Sequence, residues 1–257
     1  MDRPEIADAL RCLVDNAELV EAIHRGTERK RDLAEALGVS TQTIYRRTRQ
    51  LREYRLVEKS SKGYRLTPIG ELHARMISDA QDVSERIYAG ERLFSDLGGG
   101  VSIPHWLLKD AEIIYPTRNK PHEPLERIRE KLAETTNLRG VVSTVIPEHI
   151  TYSAERLAEG SLRAEIVFTP ACIDELETEF PTVFARSLGR DSLTLWETAR
   201  SVEFDLLFCA EQGWVGIRVY DGVGRLSGVV YTESEPAAEW TGGIYRTYRN
   251  TARPLSA

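Results

Sequence analysis

The sequence predicts an α+β protein made of two dissimilar parts joined by a helix. Helical segments separated by a glycine turn and followed by a short hairpin occupy residues 28–66. After residue 105, apolar runs typical of strands alternate with helical segments. From these patterns we expect one domain over 1–67, a linking helix over 68–97 and an α/β domain over 98–257.

The composition indicates an ordinary globular protein. Of 257 residues, 41% are apolar and 29% are charged. There is no apolar run of about 18 residues, so no membrane span is predicted. The first residues lack the pattern of a secretory signal, and Cys12, Cys172 and Cys209 have no paired spacing. We therefore expect a cytoplasmic protein with reduced thiols.

Residues 33–51 have the pattern of two helices joined by a tight turn. Gly38 supplies a turn residue that can adopt positive φ, and Ser40 can accept a hydrogen bond from the amides that open the second helix. Two short apolar runs around residues 60–63 then predict a β-hairpin. The inward positions of the two helices are Leu33, Leu37, Ile44, Thr48 and Leu51. These elements together predict a winged helix-turn-helix.

The outward face of the second helix is expected to bind double-stranded DNA. A helix fits the major groove, and its first turns reach base edges, for which Thr41 and Gln42 have suitable donors and acceptors. Side chains further along the helix and in the hairpin would meet bases or phosphates. The candidate DNA-binding residues are Thr41, Gln42, Tyr45, Arg46, Arg49, Arg52, Lys62 and Arg65.

The distribution of charge supports a DNA-binding role for the first part. Residues 41–66 carry 8 basic and 2 acidic side chains, a net +6, whereas residues 91–257 carry 18 basic and 25 acidic, a net −7. Arginine-rich helices are often only solvated faces. Here the basic cluster coincides with the turn and the hairpin, which favours nucleic-acid binding.

The helices around this unit are predicted from their periodicity. Apolar residues recur at helical spacing from near Pro4 and again from near Ala17, which predicts one broken helix or two. Thr27 is expected to cap a helix over 28–37. Thr67-Pro68 begins a helix whose narrow apolar stripe either packs on its own domain or forms a dimer seam. We favour a homodimer, because winged helices that bind two half-sites need a two-fold partner. The stripe consists of Ile69, Leu72, Met76, Ala80, Val83 and Ile87.

The second part is predicted to combine βαβ units with a meander. Gly98-Gly99-Gly100 is expected to be a hinge, since no strand precedes it and no Lys or Ser/Thr pair follows it at phosphate-loop spacing. Expected strands cover 112–115, 140–145 and 163–168, with helices at 125–135, 148–159 and 172–188, the last kinked by Pro181. Four closely spaced strands over 192–231 and a helix over 235–251 follow.

Polar residues near the ends of these strands are candidate ligand-binding residues. In open α/β sheets, ligands bind beyond the carboxyl ends of strands, where the loop 116–124 is expected to lie. For any single one of these residues, a solvated loop or a structural hydrogen bond is the commoner role. The candidates are Arg118, Lys120, His122, Ser143, Thr144, Thr169 and Arg218.

Motifs for catalysis, metals and cofactors are not found in the sequence. The histidines at 24, 73, 105, 122 and 149 form no metal-binding spacing, and there is no Gly-x-Ser-x-Gly elbow or phosphate-binding loop. We therefore expect no cofactor, no metal and no catalytic residues. The alternative from a different class is a phosphodiesterase-like α/β enzyme with an appended winged helix, and a third is a structural chromatin protein.

The chain resembles archaeal winged-helix transcriptional regulators. Residues 1–75 resemble the arsenic-repressor or TrmB-like type, on "LAEALGVSTQTIYRRTRQLREYRLVE" and "LTPIGE". The remainder resembles the sensor domain of regulators of the methanogenesis and filamentation type. That resemblance rests on "PTRNKPHEPLERIREKL", "GVVSTVIPEHI", "GWVGIRVYDGVGRLSGVVYTESEPAAEW" and "IYRTYRNTARPL".

The resemblance implies a transcription factor whose sensor domain has a phospholipase-D-like fold and binds a small metabolite, with anionic and phosphorylated compounds as candidates. Phosphodiesterases of that fold need His-x-Lys-x4-Asp. The segment His105-Trp106-Leu107-Leu108-Lys109-Asp110 has a different spacing, so the resemblance implies binding without catalysis.

Overall fold

The computed structural model describes residues 3–98 and 101–255. The chain divides into two compact units, Met1–Ser84 and Glu85–Ala257. This boundary lies within the segment 68–97 that the sequence predicts to be a linking helix. Among the described residues, no helix is long and apolar enough to cross a membrane.

The first unit has the order of a winged helix. Its core is closed by fully buried aliphatic side chains from several helices, including Leu13, Leu33, Ile44 and Leu51. The elements are α1 (Arg3–Asp15), α2 (Ala17–His24), α3 (Lys30–Ala36), α4 (Thr41–Glu53), β1 (Val57–Lys59), β2 (Tyr64–Leu66) and the beginning of α5 (Pro68–Ala89).

The turn between α3 and α4 has the predicted chemistry. Gly38 has φ +62°, a conformation that costs a residue with a Cβ atom energy. The Ser40 hydroxyl accepts a hydrogen bond from the backbone N–H of Thr43 at 3.1 Å, which satisfies one of the open amides of α4. Ile44, Thr48 and Leu51 are buried as the sequence predicts.

The hairpin is held against the rest of the unit by its glycine. β1 and β2 pair antiparallel, and the Ser60 hydroxyl accepts hydrogen bonds from the backbone N–H groups of Lys62 and Gly63. Gly63 has φ +151°, and a Cβ atom there would lie 2.0 Å from the Glu28 carbonyl oxygen. That oxygen accepts a hydrogen bond from the Tyr64 N–H at 2.9 Å.

The helix expected from residue 28 begins later, at Lys30. Its N-cap is Arg29, which makes no side-chain capping bond, so the predicted cap at Thr27 is wrong. The reason is tertiary, because the Glu28 carbonyl pairs with the hairpin. The helix expected over 68–97 is likewise interrupted at Gly90, with α5 ending at Ala89 and α6 (Glu91–Asp96) following.

The second unit is built on an eight-stranded sheet of the described residues. A 3₁₀ helix (His105–Asp110) precedes β3 (Glu112–Ile114). The strands that follow are β4 (Asn137–Val142), β5 (Arg163–Phe168), β6 (Leu193–Glu197), β7 (Phe204–Cys209), β8 (Trp214–Tyr220), β9 (Leu226–Glu233) and β10 (Arg253–Pro254). The helices are α7 (Glu123–Glu134), α8 (Pro147–Ala158), α9 (Pro170–Glu179), α10 (Pro181–Ser187) and α11 (Glu235–Arg249).

The sheet order is β10-β6-β5-β4-β7-β8-β9-β3. β4, β5 and β6 are parallel, while β7, β8 and β9 form an antiparallel meander that joins the parallel strands at β4. The predicted mixture of βαβ units and a meander is therefore confirmed, but two strands are in the other half. β3, expected among the parallel strands, pairs antiparallel with β9, and β6, expected in the meander, pairs parallel with β5. Instead of a kink in one helix, Pro181 begins α10 as a separate helix.

Helices cover the two faces of this sheet. Leu138, Ile166 and Leu207 point to one face and pack with buried side chains of α7, α8, α9 and α10. Neighbouring residues in the strands point to the opposite face, since side chains alternate along a strand. There Phe204 and Phe208 make edge-to-face contacts with Tyr248 and Tyr245 of α11.

Candidate nucleic-acid interface and ligand cavity

The outward face of α4 is exposed in the first unit. Ile44, Thr48 and Leu51 are buried on one side of α4, so the opposite side of the helix faces solvent. Tyr45 is 50% exposed, and the Lys30 ammonium lies 5.3 Å from the centre of its ring. The exposed residues on and beside this face are Thr41, Gln42, Tyr45, Arg46, Arg49 and Arg52.

Some of the basic side chains contact acidic neighbours in the free protein. Arg49 lies 3.3 Å from Glu53, and Arg65 lies 2.7 Å from Glu58 on the neighbouring strand. Such exposed ion pairs contribute little stability, so a phosphate can replace the carboxylate at little cost. Lys62 is exposed at the tip of the hairpin.

A groove between α1 and α4 borders the same helix. Arg46 and Arg47 line it together with Asp8 and Asp15 of α1. Arg46 is exposed whereas Arg47 is half-buried. Glu53, which forms the ion pair with Arg49, lines the same groove.

A buried ion pair lies inside the second unit. The Arg218 guanidinium on β8 contacts the Asp205 carboxylate on β7, with Nη2 and Oδ2 2.8 Å apart. The side chains are 3% and 0% exposed. The two residues are directly opposite each other in the antiparallel pair of strands, which fixes the contact.

The Asp205 carboxylate is surrounded by donors. Oδ1 accepts hydrogen bonds from the backbone N–H and the hydroxyl of Ser143, at 2.5 and 2.8 Å. Oδ2 accepts a further bond from the Tyr220 hydroxyl at 2.6 Å. Burial, followed by the nearby Asp205 charge, raises the pKa of Tyr220 well above its usual range, so the hydroxyl remains a donor. Both carboxyl oxygens of Asp205 therefore have donors as partners.

A cavity of about 100 Å³ lies beside this cluster. Its wall is mostly aliphatic and aromatic, and polar groups come from Thr144, His149, Ser153, Ser187 and Arg218. Nε and Nη1 of Arg218 and Nδ1 of His149 have no hydrogen-bond partner. Burial, and next the Arg218 charge, lower the pKa of His149 to about 4, so this imidazole is neutral at pH 7.

The structure brings together only some of the predicted ligand-binding residues. Ser143, Thr144 and Arg218 belong to the buried cluster or line the cavity. Thr169 is the N-cap of α9, where its hydroxyl accepts a bond from the Cys172 N–H. It does not line the cavity.

The loop after β3 lies at the same end of the sheet as Ser143 and Thr144, and β3 is two strands from the strand that carries Arg218. β3 is four strands from β4, a separation of about 19 Å at the usual strand spacing of about 4.8 Å. Arg118, Lys120 and His122 are exposed there, and Lys120 forms an ion pair with Glu123 at 2.7 Å. Their role in ligand binding stays a prediction that the cavity does not support.

Sequence reasoning did not identify Asp205, Tyr220 and His149. A signal was present, because Asp205 and Arg218 are opposite charges within two otherwise apolar strands, Phe204–Cys209 and Trp214–Tyr220. Charges at such positions are rarely buried unless they pair. Within the described parts of the chain, no group of three or more His, Cys, Asp or Glu side chains is placed to hold a metal ion.

The winged helix, with its basic exposed face, and the α/β unit attached to it form the architecture of a transcriptional regulator. Residues 121–251 match the middle domain of the methanogenesis regulatory protein FilR1, and residues 5–87 match the HVO_A0261 N-terminal domain. Because the first match covers half of the chain, the protein belongs to the FilR1 family. This confirms the resemblance on which the sequence-based assignment rests.

Solved structures show more distant similarity. TrmBL2, an archaeal chromatin protein, is 15% identical, with 96% of this chain and 98% of that chain covered and a TM-score of 0.45. Nuc from Salmonella typhimurium, a phospholipase D family member, is 10% identical over 57% of this chain and 98% of that chain, with a TM-score of 0.41. NucT from Helicobacter pylori is 4% identical over 56% and 98%, with a TM-score of 0.44. No curated protein matches the chain significantly.

Proposed function

We propose that this regulator is a homodimer whose operator affinity is modulated by a small metabolite bound in the second unit. The exposed face of α4 is the observation that carries the DNA-binding part of the proposal. Membership of a family named for a regulatory protein supports the control of transcription. The spacing of His105 and Lys109 departs from that of phosphodiesterases, so we propose binding without catalysis.

The proposed contacts divide by position on the winged helix. Thr41 and Gln42 are in the first turn of α4, where a recognition helix reaches base edges. Arg46 and Arg49 lie one and two turns further, where the guanidinium groups contact phosphates or guanine. Lys62 and Arg65 extend from the hairpin towards the adjacent backbone.

The homodimer is proposed from α5. Ile69, Leu72, Met76 and Ile87 are exposed and recur at helical spacing on one side of the helix. Val83, predicted for the same stripe, is buried within the chain itself. A symmetric partner that covers this stripe would place two winged helices on paired half-sites. α5 begins in the first unit and ends in the second. In this proposal, ligand binding in the second unit changes the spacing of the two winged helices through α5.

A DNA-binding titration at several salt concentrations tests the proposal. We expect the affinity of the wild type for its own promoter DNA to fall steeply as salt rises, because bound Lys and Arg release counterions. Arg49→Ala should weaken binding and reduce the slope of log K against log salt by about 1. Gln42→Ala should reduce the preference for promoter DNA over unrelated DNA.

Arg225→Ala is the matched control, since this exposed arginine lies in the other unit. It should change neither the affinity nor the salt slope. A salt-independent affinity, or equal effects of Arg49→Ala and Arg225→Ala, would contradict the proposed interface.

A further inference from the structure

The cavity of the second unit combines an apolar wall with unpaired polar atoms of two kinds. Arg218 is 3% exposed and has N–H groups on Nε and Nη1 without acceptors. His149 is 6% exposed, and its Nδ1 atom is also without a partner. Buried polar groups are nearly always hydrogen-bonded in folded proteins, and unpaired ones cost stability. A ligand that pairs with both residues would remove that cost.

The ring nitrogens of His149 have different roles. Nε2 lies 3.2 Å from the carbonyl oxygen of Leu125, which can only accept, so Nε2 carries the hydrogen. In the neutral ring Nδ1 then has a lone pair and accepts a hydrogen bond. Among the unpaired atoms of the described cavity wall, Arg218 therefore offers donors and His149 offers one acceptor. Thr144, Ser153 and Ser187 add hydroxyl groups to the wall.

We propose that this cavity binds a small apolar carboxylic acid, with the carboxyl oxygens accepting hydrogen bonds from Arg218 and one proton shared between the carboxyl group and His149 Nδ1. This proposal names the class of metabolite that the second unit binds. It rests on the proposed function only for the effect of that binding on DNA affinity. A carboxyl group fits because it has two acceptor oxygens for Arg218 and one proton for His149.

The charges of the cluster explain why a proton accompanies the acid. The positive charge of Arg218 on β8 is already balanced by Asp205 on β7. A carboxylate that entered alone would leave a net negative charge in a buried site, which is costly. The other charged group that acts on His149 is Arg129 of α7, and Arg218 is the charged residue among the described residues of the cavity wall. One proton from solvent restores neutrality.

The wall and the size of the cavity restrict the rest of the ligand. Leu138, Ile150, Ile166, Phe168, Leu176 and Phe184 surround the space with apolar atoms. A phosphate group would bring more charge and more acceptors than Arg218 balances. The volume is about 100 Å³, and an engineered protein cavity of about 150 Å³ binds benzene. These features favour short branched monocarboxylic acids over aromatic acids and phosphorylated sugars.

Titration calorimetry on the full chain tests the ligand class. Isovalerate and isobutyrate are the probes, and isovaleramide and glucose 6-phosphate are the comparisons. We expect at least one acid to bind with uptake of about one proton at pH 7, measured in buffers of different ionisation enthalpy. The amide should bind at least about tenfold more weakly, because it lacks the second acceptor oxygen. Equal binding of the amide, binding of glucose 6-phosphate alone, or no binding of either acid would overturn the proposal.

Variants test the two polar partners. His149→Leu should weaken acid binding about tenfold or more and remove the proton uptake. The double variant Asp205→Asn with Arg218→Met, which removes the ion pair as a unit, should abolish binding. Arg225→Met is the control and should bind like the wild type. If folded His149→Leu protein binds acid with unchanged affinity and proton uptake, the assignment of His149 is wrong.

These measurements contain no DNA, so they can fail without affecting the proposed DNA interface. Conversely, the salt titration of the ligand-free protein can fail while acid binding persists. The two results therefore separate an error in the ligand class from an error in the proposed function.

Discussion

Asp205 and Arg218 form an ion pair that is buried in the interior of the second unit. Burying two charges is costly, and the pair is retained here with additional hydrogen bonds from Ser143 and Tyr220. All four of these side chains meet at the junction of β4, β7 and β8, where the parallel strands join the meander. Among the described residues of this network, the donors without a partner belong to Arg218, which lines the neighbouring cavity.

We predict that Asp205→Ala destabilises the protein by about 3 to 5 kcal/mol, because the Arg218 charge would remain buried without its partner. Asp205→Asn combined with Arg218→Met should cost only about 1 kcal/mol, since no buried charge is left. Urea unfolding of both variants against the wild type measures the difference. A double variant as unstable as Asp205→Ala would show that the ion pair is not the cause.

His149 predicts a pH dependence of stability. Its pKa is lowered from 6.5 to about 4 in the folded protein, so between these values the unfolded chain binds a proton that the folded chain does not. Stability is therefore complete above pH 6.5 and is lost as pH falls towards 4, by roughly 3 kcal/mol in total. His149→Leu should lose less stability than the wild type over this window in urea titrations. Parallel losses in both proteins would contradict the prediction.

At the scale of elements, the hairpin depends on one glycine. Gly63 combines positive φ with a close approach to the Glu28 carbonyl. That approach joins the hairpin to the segment before α3 through the Tyr64 N–H bond. The same contact delays the start of α3 to Lys30, so a feature of the hairpin determines the boundary of a helix that precedes it in sequence.

We predict that Gly63→Ala destabilises the first unit by about 2 kcal/mol or more, from the strained φ and the overlap with backbone. It should also weaken DNA binding, because the position of Lys62 depends on the hairpin. Thermal unfolding and a DNA titration measure the two effects. Gly222→Ala is the control, since a Cβ atom there meets no neighbour within 4 Å and φ is not strained. A Gly63→Ala protein like the wild type in both measurements would contradict this role.

At the scale of the whole molecule, α5 is the element that both units share. Its exposed stripe is unusual, because Leu72 is 68% and Met76 is 46% exposed although both are apolar. Exposed apolar residues are common singly, but a row on one helical face indicates an interface. The division predicted from the sequence has boundaries at residues 67 and 97 and treats this helix as a separate dimerisation segment. The two compact units of the structure have a single boundary, between Ser84 and Glu85.

We predict that Leu72→Glu combined with Met76→Glu converts a dimer into a monomer with little change in the stability of the folded chain. Charges placed in an apolar seam oppose association, while both positions are exposed within one chain. Light scattering coupled to size-exclusion chromatography measures the mass. Tyr88→Glu is the control, because Tyr88 is 79% exposed but lies beside the stripe. A wild-type monomer, or a dimeric double variant, would contradict the proposed seam.

The sequence by itself determined the winged helix, the mixed sheet and the side of α4 that faces outward. These features follow from local chemistry, such as the positive φ of Gly38, the capping by Ser40 and the spacing of Ile44, Thr48 and Leu51. The order of the strands could not be obtained in this way, because periodicity does not show which strands are neighbours. Only the tertiary structure separated Arg118, Lys120 and His122 from Ser143 and Thr144 by four strands, and only it placed His149 with Arg218. The physical reason is that a ligand site depends on contacts between residues far apart in sequence, whereas a recognition helix is defined within a few turns.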